Sequence, residues 1–96
     1  MNIFDSLQMY AGKWGVKSVR NFTNEEKDRV ASIKVVASQF GKSACFFMKN
    51  GQQSYIPLDK DSELSTPVDT VLNFEDIELM TLERMGDADI DRIRVK

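Results

Sequence analysis

Between Ser32 and Leu58 the chain strings together runs of β-branched and aromatic residues, "SIKVVASQ", "SACFFMK" and "QSYIPL", separated by an "FG" and an "NG". Asn-Gly between such runs is the strongest short-range hairpin signal, so this stretch predicts a three-stranded antiparallel meander. Within it Phe46 and Phe47 stand side by side. Successive strand residues point to opposite faces, so only one of the two can enter a given core.

A two-residue turn at Asn50-Gly51 would set Phe46 opposite Tyr55 and Phe47 opposite Ser54. A turn tip at Phe40-Gly41 would set Val35 opposite Phe46 and Lys34 opposite Phe47. One face then carries Ile33, Val35, Ala37, Ala44, Phe46, Met48 and Tyr55, none of them charged, and the other carries Lys34, Val36, Cys45, Phe47, Lys49 and Ser54. Burying an unpaired ammonium costs several kcal/mol. The face with two lysines is therefore expected to meet water, leaving Phe47 an outward ring between positive charges. On this counting Ile56 and Leu58 share the Phe47 face, and a slip of one residue would exchange the faces.

Upstream, Ile3, Phe4, Leu7, Tyr10 and Ala11 fall at helical spacing behind Asn2, a good N-cap, and Gly12 ends the pattern. "KWGVKSV" reads as an irregular or short extended segment that inserts Trp14 into the core. "TNEE" from Thr23 is a capping box that predicts a short helix from Asn24 to about Ala31, with Glu25, Lys27, Asp28 and Arg29 on a solvated face. Downstream, "DKDSELSTPVD" reads as a polar connection, and "VLNFEDIELMTLER" with "ADIDRIRVK" across "MGD" as a final hairpin. The expectation is a mainly β (α+β) single domain over 1–96. An N-terminal helical segment, 1–31, holds two short helices that pack on a five-stranded barrel, 32–96, because closure removes vulnerable edges.

Composition narrows the chemistry. The chain of 96 residues has a formal net charge of −2 and no histidine, which removes the usual general base and leaves Cys45 without an imidazole partner. The expectation is a non-enzyme with no cofactor. Net acidity excludes the wholesale basic surface of a non-specific duplex binder, though not a local basic groove. A lone cysteine fits a reducing compartment, and no apolar run reaches the roughly 20 residues a bilayer requires. The segment "MNIFDSLQMYAGKW" lacks a basic signal region, so a cytoplasmic protein without membrane attachment is expected.

The order of meander, connection and final hairpin, from about Ile33 to Val95, resembles the OB-fold and is similar to small single-stranded DNA-binding proteins of phages and mobile elements. The resemblance implies a binding surface that includes the second and third strands, where Phe47 lies. Residues 59–69 show little to make the helix that an OB-fold places after its third strand, so an SH3-like barrel stays as the alternative. The expected function is non-catalytic binding of single-stranded nucleic acid. Phe47 and Phe40 would stack bases, Lys34, Lys42 and Lys49 would contact phosphates, and Arg84 and Arg92 would add contacts if the last hairpin closes beside this sheet. The rival expectation is a protein-interaction module, a phage-type regulator or inhibitor of a host complex, docking or self-associating through its N-terminal helix.

Other motifs yield less. Asp59, Asp61 and Glu63 imitate a calcium loop, but Leu64 occupies the position that needs glycine and Thr70 the position of the bidentate glutamate. Asp87, Asp89 and Asp91 are read as hairpin-turn residues before magnesium ligands, and Cys45 as a small hydrophobe.

Overall fold

The computed structural model describes residues 14–39, 41–84 and 89–96, with Trp14 and Arg84 described in their backbone alone. The expected helix behind Asn2, the side chains of Trp14 and Phe40, and the "MGD" turn lie outside the described residues.

The alternation beginning at Ser32 does give a meander: β2 (Val30–Ser38), β3 (Gly41–Met48) and β4 (Gln53–Pro57) pair antiparallel in sequence order. It forms one of two sheets. The second sheet has the order β1 (Trp14–Arg20), β6 (Ile77–Arg84), β7 (Asp89–Val95), again antiparallel. The two-residue β5 (Val71–Leu72) adds to the free edge of β2, completing a first sheet of order β4-β3-β2-β5. Where β4 runs out, Leu58 forms a parallel bridge to Ile93 of β7, joining the sheets along one side.

The fold is mainly β, as the sequence indicates, but its arrangement differs from the expected one. Seven strands stand in two sheets among the described residues, which form no closed barrel. "WGVKSVR" is a full strand, because β6 offers it a long antiparallel partner. The helices are not confined to the N-terminal side. Thr23 caps α1 (Asn24–Arg29) with the reciprocal bonds of the capping box, and no residue of the helix is buried. A second short helix, α2 (Lys60–Ser65), replaces the expected polar connection. It forms because Lys42 of β3 donates from Nζ to Glu63 O (3.0 Å) and Thr66 O (2.9 Å), satisfying carbonyls at the helix end.

The core lies between the sheets. Ile33, Val35, Ala44 and Phe46 from the meander meet Leu58, Leu72, Ile77, Leu79 and Ile93, all buried. Phe22 closes one end against Phe46 (ring centroids 5.6 Å) and Phe74 (5.2 Å). The core residues of β6 and β7 sit in one half of that hairpin, so its other half, with β1, extends beyond the core. Residues 15–20 are exposed throughout. A bulge at Lys17 interrupts the pairing of β1 with β6 between Val16 and Ser18, and the Lys17 ammonium crosses β6 to Asp89 at 2.8 Å.

Candidate nucleic-acid interface

Two departures in register decide what the outer face of the meander presents. Between β2 and β3, Ser38 pairs with Gly41 and Ile33, rather than Val35, stands opposite Phe46. That is a shift of two positions, which preserves the faces. Phe46 is inward and 4% exposed; Phe47 is outward and partly buried, as the alternation implies.

Between β3 and β4 the shift is a single position. Met48 N donates to Gln52 O (2.8 Å) and Gly51 N to Met48 O (3.0 Å), so Lys49, Asn50 and Gly51 make a three-residue loop in place of a two-residue turn. Asn50 Oδ1 accepts from Gln52 N at 2.9 Å, and Gly51 takes φ +90°, the positive value that closes this loop class with a bulge. Cys45 therefore faces Tyr55, Phe46 faces Ser54 and Phe47 faces Gln53. The expected pairing of Phe46 with Tyr55 is corrected, and β4 turns over. Leu58 becomes fully buried, Ile56 packs against the core, and Tyr55 emerges on the Phe47 side, 57% exposed.

The outer face thus carries two rings. Tyr55 and Phe47 are diagonal neighbours across the ladder, about 7–8 Å apart at Cα by strand geometry. Directly opposite Phe47, and two residues from Tyr55 on β4, stands Gln53, exposed, whose Oε1 accepts from the Tyr55 hydroxyl at 2.6 Å. Beneath Tyr55 the short Cys45 side chain is buried, 1% exposed, and its ionisable thiol pushes the Tyr55 phenol above its ordinary pKa. Val36 and the 66% exposed Val71 continue the face on β2 and β5, Val71 lying opposite Lys34.

The cations of the sequence reading distribute unevenly. Lys34 lies on the outer face, its Nζ 3.4 Å from Asp69 Oδ1. Lys49 is exposed in the loop at the end of the Phe47 strand. Lys42 goes elsewhere: its ammonium is held by the α2 carbonyls, away from the rings. Arg92 belongs to the second sheet, opposite Met80. Because Leu58 and Ile93 are bridged in parallel and both buried, strand alternation puts Arg92 on the outer side next to Pro57. Pairing and alternation thus place Phe47 and Lys34 on the outward side of the meander and Arg92 on the outward side of β7 beside the buried Met80, with Lys49 in the loop beyond Phe47. Phe40 and the Arg84 side chain lie outside the described residues.

Sequence reasoning missed Tyr55 and Gln53. The signal was present: Asn-Gly also suits a three-residue loop ending in a positive-φ glycine, and that choice alone moves both residues outward. Two aspartates of the final hairpin have structural partners, Asp89 with Lys17 and Asp91 Oδ1 with the Thr81 hydroxyl at 3.1 Å, while Asp87 lies outside the described residues. No described helix is long and apolar enough to cross a membrane. Comparison with protein-family models, with curated proteins and with solved structures found no match.

Proposed function

We propose that this chain is a non-catalytic binder of single-stranded nucleic acid, with Phe47 and Tyr55 as stacking platforms and Lys34, Lys49 and Arg92 as phosphate contacts. The observation that carries the reading is the diagonal placement of two aromatic residues on one outward sheet face, Tyr55 exposed and Phe47 partly buried. Bases stack on such rings with about 1–3 kcal/mol each, whatever their identity. The spacing argues for a single strand. Diagonal neighbours about 7–8 Å apart are roughly twice the 3.4 Å per-strand step of a duplex, so a ligand must splay successive bases to use both.

The strand plan supports an OB-like assignment of this surface. A meander is followed by a helix and a final hairpin, the last strand touches the third meander strand in parallel, and β5 lies on the first meander strand. In OB-folds the corresponding strands carry the ligand. Fluorescence anisotropy with a labelled single-stranded oligonucleotide tests the proposal. Binding that weakens at least tenfold on Phe47→Ala and again on Tyr55→Ala supports it, and no affinity at low salt ends it.

A protein-interaction module is the second reading. Val16 and Val19 of β1 are 57% and 39% exposed on the part of the second sheet that lies beyond the core. A protein partner that co-purifies with the chain and is lost on Val16→Ser with Val19→Ser, in the absence of oligonucleotide binding, would favour it.

A further inference from the structure

Resting on the single-strand reading, we propose that Gln53 selects the base stacked on Phe47, favouring bases that carry a carbonyl at pyrimidine C4 or purine C6 over those that carry an amine there. Gln53 is the ladder partner of Phe47, so its carboxamide stands beside any base lying on that ring. Two residues along β4 and on the same face, the Tyr55 hydroxyl donates to Gln53 Oε1 at 2.6 Å. That bond turns the carboxamide oxygen toward Tyr55 and takes up one of its two lone pairs. The amide nitrogen donates to no group among the described residues, and it is what the side chain offers to a ligand.

A free glutamine presents donor and acceptor together, the combination that suits adenine. With the oxygen turned to Tyr55, the amide nitrogen is the end left without a partner among the described residues. At the base edge where thymine and uracil carry O4 and guanine carries O6 it meets an acceptor, whereas cytosine and adenine carry an amino group at that position. Tyr55 thus acts twice, as a stacking ring and, through its hydroxyl, as the positioning residue for Gln53. Both side chains are exposed, so substitution leaves the core intact.

The test uses matched ligands that equalise stacking: oligothymidine against oligodeoxycytidine, and oligodeoxyinosine against oligodeoxyadenosine, each by anisotropy with the full chain. The carbonyl member of each pair should bind about three- to tenfold more tightly, the ratio of one net hydrogen bond. Gln53→Glu, which offers acceptors only, should reverse the order. Tyr55→Phe, which keeps the ring and releases the carboxamide, should bring each pair to within about twofold. Equal affinities in the unsubstituted protein, or an order unchanged by Gln53→Glu, overturns the selection by Gln53 while leaving single-strand binding in place. Absence of binding to every oligomer is a different result and overturns the single-strand reading together with this inference.

Discussion

Arg20, the last residue of β1, closes a two-pronged ion pair onto Glu26 of α1, with Nη1 to Oε1 at 2.8 Å and Nη2 to Oε2 at 3.1 Å. Oε1 also accepts from Thr23 N at 2.8 Å, so the carboxylate that completes the capping box ties the exposed strand to the helix start. The Arg20 guanidinium first, and the Thr23 amide second, hold the Glu26 carboxyl at about 2, below its ordinary 4.5. A depressed carboxyl contributes stability that is complete above the unfolded value and fades as pH falls toward the folded one. Urea unfolding midpoints should therefore drop between about pH 4.5 and pH 2 more steeply for the native chain than for Glu26→Gln. Both side chains are more than a third exposed, so the pair contributes only about 1 kcal/mol at neutral pH. A Glu26→Gln variant with the same acid dependence as the native chain would refute this linkage.

Phe46 and Phe47 should respond oppositely to truncation. Phe46→Ala opens a cavity among buried residues and should cost about 3–5 kcal/mol in chemical denaturation. Phe47→Ala removes a partly buried ring on the outer face and should cost less than half as much, while abolishing most oligonucleotide affinity.

The loop after β3 depends on one backbone conformation. At Gly51, with φ +90°, a Cβ meets nothing within 4 Å, so Gly51→Ala should pay only the backbone penalty of about 1–2 kcal/mol. Gly41 differs: its φ of +122° lies farther from the left-handed well open to other residues, and a Cβ there would also displace the flexible end of the Glu63 side chain. Gly41→Ala should accordingly destabilise more than Gly51→Ala in the same urea titration.

Lys42 and Lys49 should separate stability from binding. Lys42→Met strips two carbonyls at the end of α2 of their donor and should lower stability by about 1–3 kcal/mol. It should not change the salt dependence of oligonucleotide binding. Lys49→Ala should be near neutral for folding but make the slope of log K against log salt shallower by about 0.7.

The salt slope itself is bounded by the cations of the face. Lys34, Lys49 and Arg92 give a limiting slope of about −2 for a single strand, and the Asp69 carboxylate beside Lys34 reduces it. Asp69→Asn should steepen the measured slope.

Much of the fold could be read directly. The capping box at Thr23, the meander and the final hairpin all follow from local chemistry, because their signals lie within a few residues of one another. What escaped reading depended on distant partners. β1 is a strand because β6 lies beside it, and α2 is a helix because a lysine from another strand caps it. The outward ring was legible on β3, where alternation is local. Its companion on β4 was not, since a loop of three residues and one of two share the same Asn-Gly signal and differ in face by one step.

The bulge at Lys17 bears on how the edge of β1 would meet a second molecule. Among the described residues no strand pairs with the outer margin of β1, which lies beside exposed valines, the kind of template on which further chains could stack into a fibril. The skipped position breaks that margin at its middle and twists it, so a neighbouring molecule meets two short stubs instead of one continuous zipper.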